Sequence, residues 1–128
     1  MTRPFFAPQL FIPSGTFEID FYVYGMGAIE LRRFSNDDGS IHVAELSIEG
    51  TLFHLHEEKP KAGQLDPRKC GGITTMIGMF VDDVDAVMNK AVAAGATIIS
   101  KVQDYEYGYR QGEFRDPFGH CWLIEKQI

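Results

Sequence analysis

Two histidines separated by one residue are the most chemically suggestive feature of this 128-residue chain. His54 and His56 fall within Thr51–Glu57, which is predicted to be a strand, so both imidazoles are expected on one face of it. A two-residue turn joins this strand to the preceding one, Ile41–Ile48, and that length places Glu45 directly opposite His54. A neighbouring carboxylate fixes the tautomer of an imidazole and raises its basicity. Glu45 and His54 are therefore predicted to form a general-base or hydrogen-bonding pair.

A group of aromatic residues lies towards the C-terminal end. Tyr105, Tyr107 and Tyr109 share one side of the chain if their segment is extended, and together with Phe114 they could form a wall for a flat ligand. Tyrosine is also enriched in subunit interfaces, so a dimer contact explains the same pattern. The sequence leaves both interpretations open.

An arginine in the same region allows two interpretations. Arg110 is expected to form a salt bridge with Glu125 across the last hairpin. If its side chain faces the cavity instead, its guanidinium could bind a carboxylate or phosphonate with two parallel hydrogen bonds.

The elements that must position these residues occur twice along the chain. Each half reads as strand, helix, then three strands, and Gly27-Ala28 and Gly95-Ala96 mark the same point in the two copies. This order predicts two βαβββ modules in a single domain, about 1–57 and about 73–128. The polar segment between them, about 58–72, has no periodicity and reads as a linker or as a mobile loop beside a site.

Two local patterns predict structure rather than chemistry. Phe17, Phe21 and Tyr24 recur at helical spacing, which predicts a short amphipathic helix with all three in the core. The run Asp116–Gly119 is typical of a type I turn, because Asp, Pro and Gly occupy the positions that favour one. His120 and Trp122, which follow that turn, are expected to be packing residues.

The composition excludes several classes of function. Twelve Lys and Arg against 18 Asp and Glu give a net charge of −6, which argues against a nucleic-acid partner. No run of eighteen apolar residues predicts a membrane span, and the N-terminus does not resemble a signal peptide. Cys70 and Cys121 lack zinc-type spacing and read as free thiols, so we expect a cytoplasmic protein that acts on or binds a small molecule.

Three motifs carry a resemblance to a known superfamily. They are Ile19-Asp20-Phe21-Tyr22, Val81-Asp82-Asp83-Val84-Asp85-Ala86 and Asp116-Pro117-Phe118-Gly119-His120-Cys121-Trp122. The chain resembles the vicinal oxygen chelate superfamily, which contains glyoxalases, bleomycin-resistance proteins and extradiol dioxygenases. The last motif and the residues before it resemble the PhnB-like branch: Asp104, Tyr107, Gly108, Arg110, Gly112 and Phe114. The resemblance implies an α+β fold, a curved and cupped mixed sheet with helices on the outside, and a homodimer.

The resemblance also indicates where a metal would bind. Metal-using relatives take ligands from the first and last strand of each module, and these positions fall on Ala7, His54, Met76 and Leu123. Of the four, His54 alone suits a zinc, nickel, iron or manganese ion. No cofactor is therefore predicted at the usual positions, although a divalent metal at a displaced site remains an alternative.

Three functions stay open at this point. The first is binding of a small organic molecule in the cupped sheet, with His54 and Glu45 as catalytic or anchoring groups. The second is a metal-dependent lyase, isomerase or dioxygenase with a displaced site around His54, His56 and Glu125. The third is an antibiotic-sequestering protein similar to bleomycin-resistance proteins. Further ligand-binding candidates are His56, Tyr107, Tyr109, Arg110, Phe114, Cys121 and Glu125.

Overall fold

Two four-stranded mixed sheets form the framework in the computed structural model, which describes residues 3–128. The first sheet has the order β1-β4-β3-β2, and its strands are β1 (Gln9–Ile12), β2 (Ile29–Ser35), β3 (Ile41–Ile48) and β4 (Thr51–Glu57). The second has the order β5-β8-β7-β6, with β5 (Ile77–Phe80), β6 (Thr97–Tyr105), β7 (Tyr109–Arg115) and β8 (Cys121–Gln127). In each sheet the first strand is parallel to the last, and the other pairs are antiparallel. This arrangement confirms the predicted α+β class with a βαβββ order in each half.

One regular helix, α1 (Val84–Ala93), packs on the second sheet. Its N-terminus is capped by Asp83, whose side chain accepts a hydrogen bond from the backbone N–H of Ala86 at 3.0 Å. Val84, Met88 and Ala91 form its buried stripe, as the periodicity of the sequence predicts.

The corresponding helix of the first half is much shorter than predicted. Only Phe21–Gly25 is helical, as a five-residue π-type segment. Phe21 is buried, but Phe17 and Tyr24 are 57% and 70% exposed, so the predicted core stripe is wrong for these two residues. A single wide turn cannot align three residues at a spacing of 3.6, and the adjacent Tyr22 fills the core instead.

The turn at Asp116 joins the two halves. One oxygen of Asp116, Oδ1, accepts from the backbone N–H of Phe118 and of His120 at 2.9 and 3.1 Å, which closes the predicted turn. The other, Oδ2, accepts from the hydroxyl of Tyr22 at 2.6 Å and from Nε1 of Trp122 at 3.0 Å. Burial and the charge of Asp116 raise the pKa of Tyr22, so the tyrosine keeps the proton that it donates. The carboxylate of Asp116, in the second half, thus accepts a buried hydrogen bond from Tyr22 in the first half.

The segment at 58–72, called the strap below, is ordered by polar contacts. It contains two short 3₁₀ helices, Pro60–Ala62 and Pro67–Lys69. Glu58 is only 5% exposed, and its carboxylate accepts from Nζ of Lys69 at 2.5 Å and from the backbone N–H of Asp66 at 3.3 Å. Arg68 bonds to Asp66 within the strap and donates to the carbonyl oxygen of Pro117 at 3.1 Å. The strap therefore has defined contacts with the second half, whereas the sequence predicts a linker or a mobile loop beside a site.

None of the helices within residues 3–128 has both the length and the apolar character needed to span a bilayer.

Candidate ligand-binding site

Each sheet has one face packed in the core and one face turned away from it, which we call the open face. In the first sheet Leu10, Ile12, Ala44, Leu46, Phe53 and Leu55 are buried in the core. The alternate positions of β1, β3 and β4 then make up the open face of module one: Gln9, Phe11, Glu45, His54 and His56. The predicted strand pairing places both histidines correctly, since Glu45 is the register partner of His54.

His56 is held by the neighbouring strand. Its Nε2 lies 2.5 Å from Oε1 of Gln9 and donates to it, and its ring centroid lies 6.2 Å from that of Phe11. Partial burial and the nearby charges of His54, Lys59 and His42 lower the pKa of His56 below its usual value. His56 is therefore a neutral hydrogen-bonding group near pH 7.

The predicted Glu45–His54 pair has the expected register but not the expected hydrogen bond. Oε2 of Glu45 accepts from Nη2 of Arg32 on β2 at 3.5 Å. No hydrogen bond joins Glu45 to His54 in the described part of the chain. The guanidinium of Arg32 carries a permanent charge and holds the carboxylate on the β2 side.

The open face of module two is built from the equivalent strands. Gly78, Phe80, Gln111, Leu123 and Glu125 occupy it, with Phe80 and Gln111 on either side of Glu125. Nε2 of Gln111 donates to Oε1 of Glu125 at 2.7 Å. The hydroxyl of Tyr107 donates to Oε1 of Gln111, which completes a short chain from a tyrosine to a carboxylate.

The three tyrosines form a continuous aromatic row, as their spacing predicts. Tyr105 and Tyr107 are stacked with ring centroids 5.2 Å apart and planes at 19°. Tyr109 lies 5.8 Å from Tyr107, and Phe80 extends the row at 6.1 Å from Tyr109. The structure thus brings together Tyr107, Tyr109 and Glu125 from the predicted ligand-binding set.

Other predicted residues lie elsewhere. The Arg110–Glu125 salt bridge is wrong, because Arg110 is the register partner of Lys126 and binds Asp85 at 2.9 Å and Asp104 at 2.8 Å. Phe114 points into the core and stacks on Trp122 at 6.3 Å, so it is not part of the aromatic row. Cys121 is also buried.

Of the four positions at which the resemblance predicts metal ligands, three do not suit a divalent ion. Ala7 and Leu123 have no donor atom, and the thioether of Met76 is a soft ligand. Across residues 3–128, no three His, Cys, Asp or Glu side chains come close enough together to hold a metal ion. Among the described residues of one chain, His54, His56 and Glu125 therefore do not come together as the displaced site.

A cleft of about 580 Å³ runs between the first strands of the two modules. The β1 side contributes Phe6, Ala7 and Phe11, the β5 side contributes Thr75 and Met76, and the strap contributes Leu65, Pro67 and Cys70. Phe6 is fully exposed and Met76 is 41% exposed, so apolar surface is left uncovered there. Ala7 and Met76, two of the four positions at which the resemblance predicts metal ligands, line this cleft.

The sequence did not predict two polar residues, one at the cleft and one on the open face of module two. His120 lines the cleft, and its Nε2 lies 2.7 Å from the carbonyl oxygen of Phe11. Gln111 lies opposite Glu125, a position predicted for Arg110. Counting back from the bulge at Gly119, whose φ is +94°, would have given the correct register for Gln111.

Comparison with known proteins agrees with this architecture. The model of the Glyoxalase/Bleomycin resistance protein/Dioxygenase superfamily matches residues 18–124, so the chain belongs to that family. An uncharacterized protein of Mycobacterium bovis is 34% identical over 129 residues, with 98% of this chain and 85% of the relative covered.

Solved structures show the same fold. TioX from a Micromonospora species is 26% identical with a TM-score of 0.67, and 95% of this chain and 98% of that chain are covered. An Arabidopsis thaliana gene product is 24% identical with a TM-score of 0.72, and 98% of this chain and 100% of that chain are covered.

Proposed function

We propose that this protein binds a small, largely apolar organic molecule in the cleft between β1 and β5. The observation that carries the proposal is the cleft itself, whose volume of about 580 Å³ lies within the usual range for small-molecule sites. Exposed apolar groups such as Phe6 and Met76 line it, and a few polar groups are available to orient a ligand.

The polar groups at this cleft come from three elements. Gln9 lies on β1 and also bonds to His56, so it connects the cleft to the open face of module one. His120 follows the Asp116 turn, and Thr74 and Thr75 precede β5. These groups bind and orient a ligand, and His54 and Glu45 stand as polar anchors on the adjoining open face.

A neutral apolar dye tests this proposal. Nile red fluorescence is titrated with the full chain and with Thr75→Trp, which adds a large ring to an exposed position of the cleft. Ala93→Trp on the exposed face of α1 is the matched control. The dye should bind the wild type and Ala93→Trp alike, and Thr75→Trp should weaken binding by at least about tenfold. Equal binding by both variants would show that the cleft is not the site.

We also propose that the protein is a homodimer of the PhnB-like branch. Two of the four edge strands, β2 and β6, carry exposed aliphatic residues, with Ile29 62%, Leu31 55% and Ile98 47% exposed. Uncovered apolar edge strands favour association, and a second copy of the chain would cover them. Sedimentation equilibrium should give twice the chain mass, and Leu31→Lys should shift it towards monomer.

A cytoplasmic location fits the thiol chemistry. Cys70 and Cys121 are both free, the first exposed and the second buried. An exposed free thiol is stable in a reducing compartment. Fractionation of cells that produce the protein should recover it with cytoplasmic markers.

A further inference from the structure

Glu125 is a nearly buried carboxylate without a cationic partner among the described residues. It is only 7% exposed, yet within residues 3–128 no lysine, arginine or histidine nitrogen lies within 4.0 Å of its oxygens. Buried carboxylates are normally paired with a cation, because desolvation of an isolated charge costs free energy. Of the other buried carboxylates, Glu58 and Asp66 have Lys69 and Arg68 as partners, and Asp116 accepts four hydrogen bonds instead.

One oxygen of Glu125 is left open. Oε1 accepts the hydrogen bond of Gln111, while Oε2 receives none from the described residues. In that same part of the chain, every fully enclosed polar side-chain atom has a hydrogen-bond partner. The free oxygen therefore lies where solvent or a ligand reaches it.

Gly78 makes room for this oxygen. A Cβ atom at position 78 would lie 2.8 Å from Oε2 of Glu125, which is closer than real Cβ contacts allow. The absence of a side chain on β5 thus lets the carboxylate lie over the strand. Gly78 also lines the cleft described above, but the tyrosines and Glu125 do not.

The aromatic row stands beside the carboxylate. Tyr107 connects to Glu125 through Gln111, and Phe80 is the register partner of Glu125 on β5. Partial desolvation, together with the charges of Tyr105 and Glu125, raises the pKa of Tyr107. Tyr107 is 63% exposed, so part of its ring is open to solvent although it stacks on Tyr105. Aromatic faces attract organic cations, most strongly where water is excluded.

We propose that the open face of module two is a binding site for an organic ammonium ion, held by Glu125 and flanked by Tyr107, Tyr109 and Phe80. The carboxylate neutralises the charge of the ion, and the rings contact its methyl or methylene groups. This site shares Gly78 with the cleft but neither its carboxylate nor its three rings line the cleft, and choline tests it without reference to the cleft ligand.

Choline and its uncharged isostere 3,3-dimethylbutan-1-ol distinguish charge recognition from apolar contact. Amide chemical shifts of the full chain are followed by NMR while each compound is added at low ionic strength. Choline should shift the signals of Gly78, Tyr107 and Gln111 saturably, and the isostere should bind at least about tenfold more weakly. Equal affinity for the two compounds would overturn the proposal.

Two variants that each remove one carboxylate test whether Glu125 binds the choline ion. Glu125→Gln should weaken choline binding by roughly tenfold or more, since it removes the charge next to the ligand. Glu113→Gln is the matched control, because Glu113 lies on the same face, opposite Leu123. Equal losses in the two variants would show a general charge effect and contradict the site.

The exposed ring of Tyr107 gives a variant that spares the core. Tyr107→Ala should weaken choline binding by about three- to fivefold, and Tyr107→Phe should retain most of the affinity. Unchanged binding by Tyr107→Ala would remove the aromatic row from the site.

Discussion

The two open faces of this molecule have the same framework and opposite chemistry. Phe11 and His56 are register partners in module one, and Phe80 and Glu125 are the equivalent partners in module two. A neutral imidazole thus occupies the position at which the other module places an acid. A glutamine bonds each of them, Gln9 from the first strand in module one and Gln111 from β7 in module two.

This difference shows how a duplicated fold separates structure from function. The core-facing positions are apolar in both sheets, because the core requires it. The open faces have no such constraint, so each has acquired its own polar set. Module one offers His54 and His56, whereas module two offers a carboxylate and an aromatic row. Each module therefore has its own candidate site.

Breaking the contact between the modules should have the largest effect. Asp116→Ala removes the acceptor of two buried donors, Tyr22 and Trp122, and also the oxygen that closes the turn. We expect the free energy of unfolding to fall by about 3–5 kcal/mol. Urea denaturation measures the loss.

A conservative variant at the same position separates the contribution of the turn from that of the two buried donors. Asp116→Asn keeps Oδ1 for the turn and replaces Oδ2 with an amide that cannot accept from Tyr22 or Trp122. The free energy of unfolding of Asp116→Asn should therefore lie between the values for the wild type and for Asp116→Ala. A loss below about 1 kcal/mol in Asp116→Ala would contradict the assigned role.

The second-largest loss of stability is expected for a substitution in the strap, and this loss should depend on pH. Hydrogen bonds from Lys69 and the backbone lower the pKa of Glu58, so its contribution to stability is present above the ordinary glutamate pKa and is lost as the pH falls through the lowered value. Glu58→Gln should cost about 1–3 kcal/mol at pH 7 and progressively less in acid. Thermal unfolding of both proteins from pH 7 to pH 3 checks this, and a constant difference would argue against the ion pair.

Placing alanine at the equivalent position of each first strand sharpens the comparison of the faces. Gly78→Ala should displace the carboxylate of Glu125 and reduce choline binding by about tenfold, with a small effect on stability because only the end of a flexible side chain must move. Gln9→Ala truncates the equivalent position of module one and should leave choline binding unchanged. The same loss in both variants would mean that the faces are not independent.

The smallest effect concerns the imidazole of module one. His56 should titrate below the usual histidine value of about 6.5, since partial burial and the charges of His54, Lys59 and His42 disfavour its protonation. Its folded pKa is lowered, so its contribution to stability is present above about pH 6.5 and declines as the pH falls. NMR titration of the ring signals measures the pKa, and a value above 6.5 would contradict the assignment.

The sequence predicts the strand order well and the polar contacts poorly. The register of Glu45 with His54 follows from a two-residue turn, in which Glu49 and Gly50 have φ of 48° and 84°. The partners of Glu45 and Arg110 could not be predicted in this way. They depend on neighbouring elements, β2 for Arg32 and α1 for Asp85, whose distances are set by tertiary packing. The cleft also escapes sequence reasoning, since it lies between strands about 70 residues apart.

The central claim is that a small molecule binds between β1 and β5. The most direct measurement is the map of amide chemical-shift changes when Nile red is added to the ¹⁵N-labelled full chain. Saturable shifts concentrated at residues 6–11 and 70–78 are predicted. Shifts confined to the outer strands β2 and β6, or no saturable shifts, would contradict the claim.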